Sequence, residues 1–284
     1  MTRLATVPLT LVLLALPPLG IIGWASPLIS AGILFPGTGW LGLLLTLFLC
    51  GMLSSYPLRA LAIGLAISVP AQILYQAPCP PAVWEAVSTQ FGGVGLDTPD
   101  PLAEYRAAQF IQQRALASTA QVVVFPETVV SNWNQATEAF WGPTIHHLKS
   151  QGKTILVGAN VTDENRSHYF NALIIRGAQA QSDFRQRIPV PVAMWTPFSH
   201  EGVPLRLNAR GSIKLHGQKA AILICYEQLL IWPAVTSFAE RPTLVIGTAN
   251  GYWASTTRIS QIQLACLTSW ARLFHLPLLW AENT

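Results

Sequence analysis

Residues 122–128 read Val-Val-Val-Phe-Pro-Glu-Thr, and residues 221–227 read Ala-Ile-Leu-Ile-Cys-Tyr-Glu. Each is a short aliphatic run with the composition of a strand buried on both faces, and each ends abruptly in an ionisable group. Such a strand carries an acid or a thiol at its end where the sheet edge opens into a cleft. Ligands of open α/β sheets gather beyond the carboxyl ends of the strands. Glu127 and Cys225 brought together there make a general base and a nucleophile. The base is needed because a free thiol, with a pKa of about 8.5, is mostly protonated at neutral pH. The same residues also allow a plainer reading, with Cys225 as a small core residue and Glu127 as the cap of the following helix.

Outward from these two runs, strands alternate with helices. Strands are expected over 121–125, 154–157, 171–175, 213–215, 220–225, 243–246 and 278–280, and helices over 102–117, 140–150, 232–238 and 258–274. That order implies a layered α/β domain over residues 102–284. Residues 78–101, with Pro80-Pro81, Gly92-Gly93 and Asp97-Thr98-Pro99-Asp100, read as a linker.

Residues 1–77 belong to a different solvent. Only Arg3 and Arg59 carry charge there, and no acidic residue precedes Glu85. The whole chain is 51% apolar and 11% charged, with a mean hydropathy of +0.39. An ordinary soluble domain has roughly 25% charged residues, so a disordered chain is excluded and a simple cytosolic protein is disfavoured. Three apolar stretches, 6–24, 29–52 and 58–74, approach the roughly 20 residues that cross a bilayer. About three transmembrane helices are therefore expected over 1–77, with one stretch open to a re-entrant reading because Pro17-Pro18 and Phe35-Pro36-Gly37 interrupt the first two. Two further apolar stretches and the lack of a small-x-small cleavage site argue against a signal peptide. Three spans put Arg3 and Arg59 on the cytoplasmic side and residue 78 onward on the other, the periplasm of a Gram-negative cell; an even number would invert this.

The formal charge of +4 comes from 17 dispersed basic residues, among them four lysines (Lys149, Lys153, Lys214 and Lys219), so no nucleic-acid stripe is present. Four cysteines and six histidines show no ligand spacing, and neither a metal nor a cofactor is expected.

Phe-Pro-Glu at 125–127, Ile-Cys-Tyr-Glu at 224–227, Thr-Ala-Asn-Gly-Tyr-Trp at 248–253 and Pro-Leu-Leu at 277–279 with Asn283 together resemble the nitrilase (carbon–nitrogen hydrolase) superfamily. The likeness runs from about residue 15 to the end. It is strongest to the membrane branch, in which TraB-type conjugal transfer proteins are related to apolipoprotein N-acyltransferase. The resemblance implies an αββα sandwich in which Cys225 accepts an acyl group, Glu127 moves the protons and Glu227 supports the site. It also implies a fold that continues past the Asn-bearing last strand, so the chain is expected to be a shortened member or a fragment.

Two departures stand out. The family's lysine segment corresponds here to Phe184-Arg185-Gln186-Arg187-Ile188-Pro189, with glutamine at or beside the lysine position. Arg185 or Arg187 is expected to supply the missing charge to a tetrahedral oxyanion, though a guanidinium cannot act as proton donor. Strand alternation places both arginines on one face, opposite Gln186. In the segment 191–198, Pro-Val-Ala-Met-Trp-Thr-Pro-Phe, the acyltransferase's glutamate is missing, and none follows until Glu201. This pattern resembles the TraB-type branch and counts against lipoprotein N-acylation.

The resemblance thus implies a membrane-anchored thiol enzyme of plasmid conjugation that performs acyl transfer or amide hydrolysis. Its partners would be membrane lipid and an acyl donor or a pilus or envelope component. The alternative is a catalytically silent structural component of the conjugation apparatus. A small-molecule amidase, which needs no membrane region, is the weakest reading.

Overall fold

The computed structural model describes residues 2–93, 100–162, 168–196 and 202–284. Asp97, Thr98, Pro99, Pro197, Phe198 and Glu201 lie outside the described residues.

Proline and glycine set where the apolar helices stop. α1 (Thr2–Ala15) ends just before Pro17-Pro18, and the chain continues as a short 3-10 turn, Leu19–Ile21. A second 3-10 turn, Pro27–Ser30, leads into the four-residue α2 (Ala31–Leu34) before Phe35-Pro36-Gly37 breaks the helix. α3 (Trp40–Leu53) and α4 (Pro57–Leu74) follow. At 1.5 Å per residue, the 18 residues of α4 reach about 27 Å, and the 14 of α1 and of α3 about 21 Å each. Among the described residues α4 is the one helix long and apolar enough to cross a membrane. Of the three spans expected from the sequence, one helix reaches full length; the breakers cut the first two stretches to helices of 14 residues each.

The second stretch also divides by environment. Leu28, Ile29 and Ala31 are buried in the same cluster as Trp270 and Leu273 of the α/β domain. A Cβ on Gly32 would lie 1.7 Å from the carbonyl oxygen of Ser269, so only glycine permits this approach of α2 to the domain. By contrast α4 buries only Ala60, and it leaves Leu58, Leu61, Leu65, Ile73 and Leu74 exposed. The chain leaves the domain near Gly39, whose N–H donates to the Leu273 carbonyl at 2.7 Å, and returns at Tyr75, packed edge-on against His275. The turn at residues 54–56 between α3 and α4, followed by Arg59, therefore lies at the end remote from the domain.

In chain order the domain comprises β1 (Trp84–Ala86), α5 (Pro101–Ala117), β2 (Val122–Val124), α6 (Gln135–Ser150), β3 (Thr154–Thr162), β4 (Tyr169–Gly177), β5 (Phe184–Arg185), β6 (Ser212–Leu215), β7 (Gln218–Ile224), α7 (Ile231–Ala239), β8 (Leu244–Asn250), α8 (Ile259–Leu273) and β9 (Leu278–Asn283). One sheet has the order β1-β2-β3-β4-β5, with β1, β2 and β3 parallel and β4 and β5 antiparallel additions. The other has the order β6-β7-β8-β9, with β7, β8 and β9 parallel.

Alternation along the strands builds the layers. Val122 and Val124 of β2 meet Ile222 and Ile224 of β7 in the core between the sheets. Val123 and Phe125 face α5 and α6, while Leu223 faces α7 and α8. The result is a four-layer αββα sandwich. Within the 78–101 stretch read as a linker, Trp84–Ala86 pair with Val122–Val124 as an edge strand of the first sheet. Trp84 is buried between the sheets, and this apolar anchor outweighs the surrounding turn formers.

Candidate active site

β2 and β7 both end beneath the same cleft. After β2 the chain passes Phe125-Pro126 and crosses close over β3. A Cβ on Gly158 would stand 2.1 Å from the Pro126 carbonyl oxygen and 2.5 Å from the Glu127 Cα, so this crossing requires glycine there. After β7 the chain turns at Cys225, whose φ of +50° lies in the left-handed region. For a residue with a Cβ that conformation costs about 1–2 kcal/mol.

Glu227 holds the turn. Its buried carboxylate accepts the N–H of Ile224 at 3.1 Å, of Arg187 at 2.6 Å and of Ile188 at 3.1 Å, and it pairs with the Arg187 guanidinium at 3.2 Å. Arg187 also donates to the Ser237 hydroxyl at 2.9 Å and to the Ile222 carbonyl at 3.1 Å. Glu227 thus positions the turn that carries Cys225.

Glu127 and Cys225 converge. Both line the same cavity, and the Glu127 carboxylate accepts from the Asn171 amide and from the Asn250 N–H at 2.9 Å. Gln263 of α8 donates to the sulfur at 3.6 Å. Burial lifts the Glu127 carboxyl from 4.5 to about 7, against the hydrogen bonds from Cys225, Asn171 and Asn250 that favour its charge. Burial, then the Glu127 charge, pushes the Cys225 thiol well above its ordinary value. The pair rests as a neutral thiol beside a carboxyl whose proton affinity burial has raised. Ionised Glu127 can take the thiol proton as the sulfur attacks.

Two cavities meet at Cys225. The first, of about 410 Å³, is lined by Glu127, Asn160, Tyr169, Asn171 and Asn250. The second, of about 200 Å³, is largely apolar, with Trp24, Leu229, Ile259 and Ile262 in its walls. Val190 and Trp253 border both. Trp24 belongs to the N-terminal apolar region, so one wall of the thiol's surroundings comes from there.

The expectation that an arginine replaces the family lysine is corrected. Arg187 is spent on Glu227, Ser237 and Ile222, and the Arg185 guanidinium lies 4.0 Å from the centre of the Phe170 ring. Alternation puts both on the face away from Glu127 and turns Gln186 toward it. The Gln186 side chain accepts from Asn171 at 3.3 Å and donates to the Ile224 carbonyl at 3.2 Å. The lysine position is therefore filled by a buried neutral amide.

Sequence reasoning missed Asn171, Gln186 and Gln263 as site residues. The signal for Gln263 was its spacing: it shares the helical face of Cys266, Leu267 and Trp270, where a lone amide needs a partner. Asn171 was a single amide within the apolar run 170–175 of β4. Asn250 lay in the quoted loop; its side chain accepts from Asn283 at 2.8 Å, and Asn283 in turn accepts from Thr89 at 2.9 Å.

No family model matches the chain. Conjugal transfer protein TraB of Agrobacterium fabrum is 34% identical over 281 residues, which are 96% of this chain and 65% of that protein. Probable conjugal transfer protein TraB of Sinorhizobium fredii is 32% identical, covering 97% of this chain and 72% of that protein. The chain thus spans about two thirds of the length of these relatives. Among solved structures, an amidase from Nesterenkonia sp., a member of the nitrilase superfamily, matches with a TM-score of 0.50 at 12% identity over 70% of this chain and 74% of that one. At that identity the likeness concerns the fold alone.

Proposed function

Because the chain belongs to the TraB family of conjugal transfer proteins, we propose that it is a membrane-anchored thiol enzyme of plasmid conjugation that performs acyl transfer or amide cleavage at Cys225. The observation that carries this reading is the convergence of buried Glu127 and Cys225 on one cavity, with a second, apolar cavity opening at the thiol. Glu127 takes the thiol proton while the sulfur forms its bond to a carbonyl carbon; the proton then passes to the leaving oxygen or nitrogen as that bond breaks. A second nucleophile, amine or water, releases the acyl group by the reverse proton path. The apolar cavity beside the thiol suits an acyl donor more than a small amide, and membrane lipid or an envelope or pilus component is the substrate class in view.

Membrane attachment rests on the exposed apolar surfaces of α1, α3 and α4. In this reading α4 crosses the bilayer, and α1 and α3, packed antiparallel with Gly51 against Leu4 and Pro8, cross as short spans completed by thinning of the lipid. Arg3 and Arg59 mark the cytoplasmic side, and the domain, entered after α4, is periplasmic.

A second reading, a catalytically silent component of the conjugation apparatus, is favoured by Gln186: the described residues bring no cationic side chain against Glu127 or Cys225. Plasmid transfer frequency separates the two. With protein levels matched, Cys225→Ala and Glu127→Gln should each reduce transfer at least tenfold if the thiol chemistry is used. Wild-type transfer by both variants would favour the silent component.

A further inference from the structure

Arg185, freed from the catalytic role expected of it, stands with Arg206 and Arg210 around a separate cavity of about 440 Å³ between β5 and the loop preceding β6. The acid in its wall, Asp183, is committed elsewhere: it accepts from Arg176 at 2.7 Å and from the Ile175 N–H at 3.2 Å. Arg210 donates to the hydroxyl and carbonyl of Ser182 at 2.9 and 3.1 Å, an arrangement that fixes its guanidinium at the rim. Arg185 is held by the Phe170 ring. Arg206 has its backbone N–H on the Arg187 carbonyl at 2.9 Å, but its guanidinium has no hydrogen-bond partner among the described residues. Burial, then the charges of Arg185 and Arg210, pull Arg206 below its ordinary pKa.

We infer that Arg185, Arg206 and Arg210 form a binding site for a phosphate-bearing anion. Guanidinium forks match phosphate oxygens two at a time and tolerate partial burial better than ammonium groups, and this cluster contains no lysine. The loop that carries Arg206 also indicates the source of the phosphate. Leu205 and Leu207, on either side of it, pack with Ile188 against Ile21 at the end of the first apolar stretch. The cavity therefore sits beside the part of the chain proposed to meet lipid, and the phosphate of an anionic phospholipid headgroup is the ligand favoured over free phosphate. Phosphate binding itself does not depend on the chemistry of Cys225.

The test is calorimetric titration of the full chain in a nonionic detergent, with inorganic phosphate and with short-chain phosphatidylglycerol as separate probes. Saturable binding is expected, weakened about ten- to a hundredfold by Arg206→Gln and further by Arg206→Gln/Arg210→Gln. Arg206→Lys, which keeps the charge and loses the fork, should fall between. Arg106→Gln removes the same charge elsewhere on the surface and serves as the control. Binding of phosphatidylglycerol alone assigns the site to a headgroup, and binding of both probes assigns it to phosphate of either source. Failure of both probes to bind a protein that melts cooperatively, or equal weakening by Arg106→Gln, would overturn the inference.

Discussion

Replacing Glu127 by Gln probes the buried carboxyl through stability, without any knowledge of the substrate. Burial raises this group from 4.5 to about 7 in the fold. Between those values the folded chain binds a proton that the unfolded chain has released. The stability from this group is therefore fully present below about pH 4.5 and is lost as pH rises through about 7. At about 1.4 kcal/mol per pKa unit, the loss between pH 5 and pH 8 comes to about 2–3 kcal/mol. The Gln side chain sets an amide against the Asn171 amide and the Asn250 N–H, a cost that does not change with pH, so the difference between the two pH slopes isolates the ionisation. At roughly 2–4 °C per kcal/mol for a domain of this size, the wild-type melting temperature should fall about 5–10 °C more than that of Glu127→Gln between pH 5 and pH 8. Intrinsic tryptophan fluorescence in detergent reads this directly. Parallel curves for the two proteins would refute the reasoning, because they would mean that Glu127 keeps an ordinary carboxyl pKa in the fold.

Two other substitutions separate structural from chemical roles. Glu227→Gln leaves the buried Arg187 guanidinium without its counter-charge and should destabilise the domain by about 3–5 kcal/mol, seen as a large drop in melting temperature. Gln186→Lys restores an ammonium beside the Asn171–Glu127 pair and should lower the thiol pKa. Alkylation of Cys225 by iodoacetamide at pH 7 should then accelerate, about tenfold for each unit of pKa, and an unchanged rate would show that residue 186 does not act on the thiol.

The two strand ends that carry Glu127 and Cys225 were legible because strands buried on both faces leave little latitude: their composition sets the period, the burial and the place where the chain emerges. Alternation likewise put Arg185 and Arg187 on one face. Which face looked into the cleft depended on the pairing of β5 with β4, a long-range contact that local sequence does not encode. For the same reason Arg187 was read as the oxyanion's charge rather than as the partner of Glu227, 40 positions away, in the scaffold of the turn. Hydropathy identified the apolar region but could not divide it. Residues 28–35 and α4 have similar composition, and only the close approach at Gly32 shows that the former belongs to the domain's core. Trp84 in a proline-rich setting was missed as a strand because its partner, β2, lies beyond the intervening helix.

The central claim, that Cys225 carries an acyl group while Glu127 moves the protons, is tested most directly by intact-mass analysis of the protein purified from membranes. Wild type is compared with Cys225→Ala, and Glu127→Gln is included to slow turnover. A substoichiometric adduct is expected on the wild-type chain, with a mass equal to that of an acyl group, and absent from Cys225→Ala. The same mass on both chains, or no adduct on the wild type after incubation with acyl thioesters, would contradict the claim.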